Sequence, residues 1–463
     1  MAAAITLALD LGSTSIKAGV MDAAGELQQI ETLPAPEIYA LAGRYESDAS
    51  AGLEAVKQLL QKYRNSTEPL GLGLSTQRSS FLIWNKANGR PVTPLVSWQD
   101  TRGAASCKAL RHEEALIQKL TGLRLAPYYF APKVRQLLKA SPDLRSGLEQ
   151  GSLLIGTLDT FVIWHESEGR YHIIDETMAA RTLLMAIDQR QWSPVLCELF
   201  SIPQEILPEI YPSSDLNIAL TDGLVLQASA ADQSAAVIAG IKPDQREALV
   251  NLGTGGFVIC YPNGQKNEAA TGYLKTLTSS NGRVAIEGTL NAITAALSPF
   301  PYPACALEDL ASVPDVFCIP EPNGVGSPYF YTCDGIIFSA PVAHLNAKQI
   351  AGLLLEGIVF RVVRILEDFQ HLYGVERVYL AGGLTRLGCL QQGIALCSGS
   401  MVVYSLLQKE SSLRGAALLA ANMPPAYRRQ AVKIEARNRH LALPGKYRRW
   451  KIWFDRLMAS SSK

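Results

Sequence analysis

A short apolar run that stops in a turn rich in glycine and hydroxyl residues, followed at once by a second apolar run, occurs twice in this 463-residue chain. The first copy spans residues 5–21 and turns at Gly12–Ser15. The second spans residues 248–261 and turns at Gly253–Gly256. Apolar, β-prone runs on either side of such a turn predict a β-hairpin. Because the turns lie about half a chain apart, they indicate two copies of one kind of domain.

The length and composition of the chain agree with two globular domains. A chain of 463 residues exceeds the size at which a single hydrophobic core stops growing. With 48% hydrophobic and 18% charged residues, it has enough apolar material for large cores. Strand-like runs such as Leu70–Leu74 alternate with helical stretches such as Pro132–Lys139, which is an α/β pattern. We predict an N-terminal domain over residues 1–241, a C-terminal domain over 242–425 and a basic helical tail over 426–463.

Charge, cysteine content and the first residues exclude several classes of protein. Lysine plus arginine number 43 and aspartate plus glutamate 42, so no global field attracts nucleic acid or an anionic membrane. The eight cysteines form neither a C-x-x-C pair nor a zinc-like spacing with histidine, which predicts reduced thiols. The first apolar run ends at Asp10, too early for a signal peptide or a membrane span. We expect a cytoplasmic protein with no nucleic-acid or membrane partner, and a homodimer stays open.

The first turn has the residue types that a metal–nucleotide site needs. Asp10 ends a strand, Gly12, Ser13 and Thr14 form the turn, and Lys17 follows. A carboxylate in this place suits Mg²⁺ or its bound water, whereas backbone N–H groups, hydroxyls and a lysine suit phosphate oxygens. An ordinary hairpin turn is the alternative.

The second turn, Gly253-Thr254-Gly255-Gly256, would hold the same phosphates from the other half of the chain. The sequence contains neither a Walker-type G-x-x-x-x-G-K-[ST] nor a dinucleotide fingerprint with its downstream acid, so it lacks the marks of P-loop and Rossmann folds. The expected phosphate site is therefore of another type.

Asp232 is the one acid in an otherwise small and uncharged run, Ala228–Ala236. The run predicts that Asp232 lies at or near the N-terminus of a helix. An N-cap is the structural alternative to a chemical role for this carboxylate. The other motifs of the chain decide between the two interpretations.

These motifs, taken with others in the same order, resemble those of the FGGY carbohydrate kinases, and within that family they are most similar to the glycerol kinase branch. The resemblance covers nearly the whole chain. In chain order, the matching segments are Asp10–Lys17, Ser75–Arg78, Ser97–Arg102, Thr121–Leu123, Pro127–Tyr129, Gly156–Thr160, Ile163–Trp164, Ala180–Thr182, Asp232–Gln233, Gly253–Phe257, Glu287–Gly288, Gly324–Pro328, Glu356–Gly357, Ala381–Gly383, Glu410 with Gly415–Ala417, and Tyr447–Trp450. So many ordered matches exclude chance.

The resemblance implies an ATP-dependent kinase of two actin-like (ribonuclease-H-like) α/β domains with a catalytic cleft between them. It implies that Asp232 is the general base and that Asp10 organises Mg²⁺. The residues that it assigns to ATP are Gly12, Ser13, Thr14, Lys17, Gly253, Thr254, Gly255, Gly382, Gly383 and Leu384. The residues that it assigns to the substrate are Arg78, Ser79, Trp98, Tyr128, Asp232, Gln233 and Phe257.

Ser79 departs from the glycerol kinase pattern, which has a glutamate directly after the substrate-loop arginine. That acid accepts hydrogen bonds from the polyol, so its replacement by serine predicts that glycerol is not the best substrate. The predicted reaction is the phosphorylation of a hydroxyl of a small polyol or sugar by ATP. A ketose kinase of the xylulose, ribulose or sedoheptulose type is the alternative, followed by a non-catalytic, sugar-sensing actin-like ATPase, which would be expected to have lost Asp10 or Asp232.

Overall fold

The computed structural model describes residues 6–64, 70–262, 269–278, 283–436 and 442–461. Ile5, which begins the first predicted strand, and residues 437–441 and 462–463 of the predicted tail lie outside these ranges. The chain divides into two compact units. Unit 1 comprises Met1–Ala239, Lys275–Arg283 and Glu410–Arg428, and unit 2 comprises Gly240–Leu274, Val284–Lys409 and Arg429–Lys463. The consecutive domain boundaries at residues 241 and 425 remain a prediction.

Groups of strands are interspersed with helices along the described part of the chain. The strands are β1 (Thr6–Leu11), β2 (Ser15–Met21), β3 (Leu27–Pro34), β4 (Tyr39–Leu41), β5 (Arg44–Ser47), β6 (Leu70–Thr76), β7 (Phe81–Asn85), β8 (Leu95–Val96), β9 (Leu153–Thr157), β10 (Ile173–Asp175), β11 (Met185–Ala186), β12 (Gln191–Trp192), β13 (Glu209–Tyr211), β14 (Ile218–Ala219), β15 (Leu224–Ala231), β16 (Glu247–Leu252), β17 (Gly256–Cys260), β18 (Leu274–Leu277), β19 (Val284–Leu290), β20 (Cys318–Ile319), β21 (Ile337–Phe338), β22 (Arg377–Ala381), β23 (Val402–Leu406) and β24 (Ala431–Lys433). The α-helices are α1 (Ala49–Leu60), α2 (Ala104–Ala109), α3 (Glu114–Thr121), α4 (Phe130–Ala140), α5 (Pro142–Glu149), α6 (Leu158–Glu166), α7 (Glu176–Ala179), α8 (Pro194–Leu199), α9 (Asp232–Gly240), α10 (Ile293–Leu297), α11 (Ala347–Tyr373), α12 (Gly388–Cys397), α13 (Ser411–Ala420) and α14 (Ala442–Ser461).

Unit 1 is built on a six-stranded sheet in the order β14-β15-β6-β1-β2-β3. β1 and β2 form the predicted antiparallel hairpin, in which Asp10 pairs with Lys17. β6 runs parallel to β1 on one side and to β15 on the other. Because parallel strands end at the same edge of a sheet, the residues that follow β1, β6 and β15 lie close together.

Helix α13 packs closely on this sheet and on α9 because a glycine at each contact removes a side chain. A Cβ at Gly73, in the central strand β6, would lie 2.2 Å from the carbonyl oxygen of Ala416. A Cβ at Gly415 would lie 1.8 Å from the carbonyl oxygen of Ala235, in α9. Only glycine permits such an approach of backbone to backbone. The close packing brings the first residues of α13 to the edge where β1 ends.

Unit 2 repeats this plan. β16 and β17 form the second predicted hairpin, which closes where Leu252 pairs with Gly256. β16 also runs parallel to β22, with Asn251 beside Ala381. Within the unit the sheet order is β19-β17-β16-β22-β23-β24. The turn after β16 and the glycines after β22 therefore lie at one edge.

The long helix α11 supplies much of the core of unit 2. It begins after Asn346, whose side chain accepts from the amide of Gln349 in a capping box, and it ends at Gly374 with a left-handed φ of 71°. Most of its residues from Ala351 to Phe369 are buried. A run this apolar on all sides indicates a helix that is surrounded by other elements.

The C-terminal helix α14 packs into the same core. The side chain of Trp450 is fully buried, its Nε1 donates to the carbonyl oxygen of Cys318 at 2.9 Å, and its ring stacks on Phe454 with centroids 4.6 Å apart. Across the described ranges, no helix is both long and apolar enough to cross a membrane.

Replacing Trp450 by alanine should lower the free energy of unfolding of unit 2 by about 3–5 kcal/mol, because it removes a fully buried aromatic ring and leaves a cavity. Arg448, exposed on the same helix, provides the control: Arg448→Ala should change stability by less than about 0.5 kcal/mol. Urea denaturation measures both. Equal midpoints for W450A and the parent protein would show that the tail is not part of the core.

Candidate functional site

The edge of the unit 1 sheet holds a buried carboxylate at the end of β1. Asp10 is 7% exposed, and its Oδ2 accepts a hydrogen bond of 2.8 Å from the hydroxyl of Ser412, near the start of α13. Its Oδ1 is buried and accepts no hydrogen bond from the residues that the structure describes. Burial raises the pKa of Asp10 to about 6, although the hydrogen bond from Ser412 opposes the shift. A buried carboxylate oxygen without a donor is a natural ligand for a hard cation.

The turn after Asp10 requires glycine and places a cation beside an acid. The amide of Gly12 donates to the carbonyl oxygen of Ser15 at 3.1 Å, and a Cβ at Gly12 would lie 2.9 Å from that oxygen. Ser13 is half-buried, whereas Thr14 is exposed. The ammonium of Lys17 forms an ion pair with Glu410, the residue before α13. The turn therefore presents hydroxyls and a balanced cation at its surface.

Asp232 lies at the N-terminus of a helix, as the sequence predicts, since it is the first residue of α9 and directly follows β15. Its Oδ1 accepts from the amide of Gln233 at 2.7 Å and lies 3.7 Å from Nε of Arg78. The side chain of Asp232 is 33% exposed and that of Arg78 is 13% exposed. The structure thus brings together two of the predicted substrate residues, from the ends of two parallel strands, and leaves the acid accessible.

A buried relay holds the residue before Asp232. The amide of Ala231 donates to Oγ1 of Thr177 at 2.8 Å, and that hydroxyl donates to Oδ2 of Asp175 at 2.6 Å. The hydroxyl of Ser213 donates to the same oxygen at 2.9 Å. Because these groups are shielded from water, the relay fixes the backbone from which Asp232 projects.

The substrate loop and the loop after β8 are joined by hydrogen bonds. Ser79 is 5% exposed and has a left-handed φ of 64°. The hydroxyl of Ser80 accepts from the amide of Trp98 at 3.0 Å and donates to Oε1 of Gln77 at 3.1 Å. Trp98 itself is half-buried. These bonds hold two predicted substrate residues, Ser79 and Trp98, on adjoining loops.

An ion pair between Arg102 and Asp100 orders the loop that carries Trp98. The guanidinium of Arg102 donates to both carboxylate oxygens of Asp100 at 2.8 Å, and the amide of Tyr45 donates to the same group. Burial opposes ionisation of Asp100, but the bonds from Arg102 and Tyr45 outweigh it and hold the pKa of that carboxyl below its usual value. The loop is therefore rigid close to Trp98.

The three other predicted substrate residues, Tyr128, Gln233 and Phe257, lie at separate places in the fold. Tyr128 is 39% exposed and its ring lies 4.5 Å from that of Tyr129, whose hydroxyl accepts from Arg181 at 3.4 Å. Gln233 is half-buried beside Asp232. Phe257 belongs to unit 2, where it lies half-buried in β17 opposite Asn251.

In unit 2 the predicted nucleotide residues share one edge of the sheet. Oγ1 of Thr294 donates to the carbonyl oxygen of Gly253 at 2.6 Å, and the amide of Thr294 donates to that of Thr254 at 3.3 Å. A Cβ at Gly253 would meet no atom within 4 Å, whereas one at Gly255 would lie 3.2 Å from the carbonyl oxygen of Leu290. The turn is thus held from behind and open in front of Gly253.

The two glycines after β22 differ in the space available for a side chain. Gly382 has a φ of 92°, and a Cβ there would lie 2.4 Å from the carbonyl oxygen of Leu252. A Cβ at Gly383 would meet no atom within 4 Å. Leu384, which follows, is buried and begins a 3-10 turn. Gly382 is therefore required by the fold, whereas Gly383 leaves free space beside the turn of Gly253.

Comparison with known proteins agrees with this arrangement. Models of the FGGY family of carbohydrate kinases match residues 5–250 with the N-terminal domain and residues 248–423 with the C-terminal domain. Glycerol kinase 2 of Saccharolobus solfataricus is 30% identical over 441 residues, which cover 89% of this chain and 88% of that protein. Glycerol kinase of Nitratidesulfovibrio vulgaris is 31% identical over 448 residues, with 89% and 88% covered. The chain belongs to the FGGY family of carbohydrate kinases.

Solved structures share the fold. The glycerol kinase of Plasmodium falciparum with ADP superimposes with a TM-score of 0.85 at 22% identity, over 98% of each chain. A ligand-bound xylulose kinase of Lactobacillus acidophilus gives a TM-score of 0.81 at 16% identity, over 99% of each chain. The predicted family, two-domain fold and enzyme class are confirmed: the protein is a phosphotransferase that uses ATP to phosphorylate a hydroxyl of a sugar or polyol.

Several residues of the site were not predicted from the sequence. They are Ser412, which binds Asp10, Thr294, which holds the second turn, the pair Asp175 and Thr177, and Lys133, which is buried behind the substrate loop. Ser412 had a usable signal, because it lies two residues after Glu410 in a segment that resembles the family. The others carry no local pattern that separates them from ordinary helix or loop residues.

Asp175 should make stability depend on pH. Burial and the nearby Asp159 raise the pKa of Asp175 to about 8, from 3.8 for an exposed aspartate. The folded protein then binds a proton more tightly than the unfolded chain, so this contribution is complete below pH 4 and is lost as the pH rises through about 8. Asp175→Asn, which resembles the protonated acid, should flatten the fall in free energy of unfolding between pH 5 and pH 8.

Urea denaturation at both pH values measures this effect. Asp188→Asn provides the control, because the side chain of Asp188 is 72% exposed and should leave the pH dependence unchanged. An unaltered slope in D175N would contradict a protonated Asp175 in the folded protein.

Proposed function

We propose that the carboxyl edge of the unit 1 sheet binds the acceptor, that Asp232 is the general base, and that the best acceptor is a polyol or ketose other than glycerol. The observation that supports this most directly is the ion pair of Asp232 with Arg78. Oδ1 of Asp232 lies 3.7 Å from Nε of Arg78. The pair lies at the edge that also carries Asp10. A charged pair at the sheet edge suits the alignment of a hydroxyl for transfer.

The chemistry asks little of the protein beyond position and charge. The acceptor oxygen forms a bond to the γ-phosphorus of ATP as the bond from that phosphorus to the ADP oxygen breaks, and the hydroxyl proton leaves. Asp232 is exposed enough to receive that proton, while Arg78 and the Ala231 relay limit its movement.

Asp10 fits the ion that accompanies ATP. Its Oδ1 has no donor among the described residues, and Ser412 holds Oδ2 so that the free oxygen keeps one direction. Mg²⁺ supplies charge neutralisation on the phosphate oxygens when it is bound. We infer that Asp10 holds this ion or one of its waters, and that Gly12, Ser13, Thr14 and Lys17 face phosphate.

Unit 2 would bind the rest of the nucleotide. Thr294 holds the turn of Gly253, Thr254 and Gly255 from behind, so that its backbone N–H groups can meet phosphate. The open space at Gly383 suits the adenosine, with Gly382 and Leu384 on either side. A cytoplasmic location and a homodimer remain predictions.

A screen of acceptor-dependent ADP release tests the proposed function. The panel contains glycerol, erythritol, ribitol, ribulose, xylulose and sedoheptulose, each with ATP and Mg²⁺. We expect release to depend on a polyol or ketose and to be greater with one of the larger compounds than with glycerol. A protein that binds these compounds without any acceptor-dependent release would instead be the non-catalytic alternative.

Asp232→Asn should lower kcat by about 10²–10⁴-fold, the usual contribution of a positioned base, while ATP binding and the melting temperature stay close to those of the parent protein. Steady-state kinetics and calorimetric titration with ATP measure the two effects. Asp188→Asn, at an exposed position of the same unit, is the matched control and should keep full activity. More than a third of parental turnover in D232N would rule out Asp232 as the base.

Ser79→Glu should raise kcat/KM for glycerol by roughly 5- to 30-fold and lower it for the native acceptor, because a carboxylate accepts stronger hydrogen bonds from hydroxyls than serine does. Ser79 is buried and has a left-handed φ, so any larger residue meets the same backbone strain. Ser79→Gln matches the size and strain of glutamate without its charge and is the control. If both variants shift the acceptor ranking equally, or neither does, charge at this position does not set specificity.

A further inference from the structure

Lys133 is a fully buried lysine directly behind the predicted substrate loops. It lies in the first turns of α4, and its side chain is 0% exposed. Its ammonium donates to the carbonyl oxygen of Ser79 and to that of Ser97, at 2.8 Å each. Ser79 directly follows Arg78, and Ser97 directly precedes Trp98. One side chain therefore joins the two loops that carry the predicted acceptor residues.

A lysine in this place is costly to the fold. Burial lowers the pKa of Lys133 to about 7; the carboxylate of Asp100 favours the ammonium form and the guanidinium of Arg102 opposes it. The ring of Phe81 lies 5.6 Å from Nζ and offers a further weak attraction. If this position served only to pack the helix against the loops, an apolar residue would do so without the free-energy cost of burying a charge. A specific need for donors at this point explains the lysine better.

That need arises from the shape of the substrate loop. Ser79 has a φ of 64°, a conformation that residues other than glycine avoid unless the surroundings hold it. Lys133 binds the carbonyl of this same residue and so helps to hold the turn that directs Arg78. The bond to Ser97 ties the turn to a second loop, which the pair of Arg102 and Asp100 already makes rigid. The position of the strained turn is thereby set relative to Trp98.

We propose that Lys133 is a positioning residue that fixes the spacing between the Arg78–Ser79 turn and the Trp98 loop, and so determines how well the acceptor binds. The inference rests on the proposed function in that these loops are taken to bind the acceptor. Lys133 has no exposed atom with which to touch substrate, and it acts through the two carbonyl groups alone. Its effect should fall on the acceptor and spare ATP.

Lys133→Met tests the proposal, because methionine keeps the length and removes the donors. We expect the KM for the acceptor to rise about 10- to 100-fold, the scale of loss from a displacement of about 1 Å, while the KM for ATP changes less than about 2-fold. Lys446→Met is the control: Lys446 is also a buried lysine that donates to a backbone carbonyl, that of Val313, but it lies in unit 2 and also pairs with the buried carboxylate of Glu356. It should lower stability and leave the KM for the acceptor unchanged. Equal rises in both Michaelis constants of K133M, or no rise in either, would overturn the proposal.

Hydrogen exchange without any substrate separates this proposal from the proposed function. Amides in residues 75–80 and 97–102 should lose protection in K133M at least 10-fold more than those of β1, whatever the protein phosphorylates. Unchanged protection of both segments would refute the positioning role even if kinase activity is established. Should K133M fail to fold, Lys133→Gln retains two N–H donors without a buried charge and should give an intermediate KM for the acceptor. If a folded K133Q had the parental KM for the acceptor, the proposal that the spacing of the two loops depends on the lysine side chain would be contradicted.

Discussion

The parallel alignment of β1, β6 and β15 is the constraint on which the rest of unit 1 depends. These three strands end at one edge, so Asp10, Arg78 and Asp232 meet although more than two hundred residues separate the first from the last. Gly73 lets α13 lie almost on the backbone of β6, and Gly415 lets the same helix lie almost on the backbone of α9. A side chain at either glycine would move the helix that carries Ser412 away from Asp10. The geometry of the charged edge therefore depends on the close packing of α13.

Buried polar groups behind that edge hold backbone where main-chain hydrogen bonds of the sheet stop. Asp175 acts through Thr177 on the amide of Ala231, and Lys133 acts on the carbonyl groups of Ser79 and Ser97. Each of these groups loses hydration on folding, and burial shifts its pKa towards the neutral form. This free-energy cost fits a functional need, because both groups hold backbone beside residues that we propose bind the acceptor. In unit 2, Thr294 holds the turn at Gly253 through two hydrogen bonds.

Much of this fold could be predicted from the sequence, because the two hairpins and α11 carry strong local patterns. The second hairpin, predicted over residues 248–261, occupies β16 and β17, and α11 begins after Asn346, whose side chain caps it. The placement of Asp232 at the start of a helix followed from its small neighbours. Lys133 could not be predicted, since a lysine in an amphipathic helix normally faces solvent and its partner Ser79 is 54 residues away. The left-handed turn at Ser79 was equally invisible, because serine has no preference for that conformation.

The central claim is that unit 1 directs the γ-phosphoryl of ATP to a hydroxyl of the acceptor instead of to water. Phosphorus NMR of the wild-type protein with ATP, Mg²⁺ and its best acceptor tests this directly, since it distinguishes a phosphate ester from inorganic phosphate. The account predicts a new phosphomonoester resonance that grows in equal amount with ADP and depends on the acceptor. Growth of inorganic phosphate in its place, at a rate independent of the acceptor, would contradict it and would describe an actin-like ATPase.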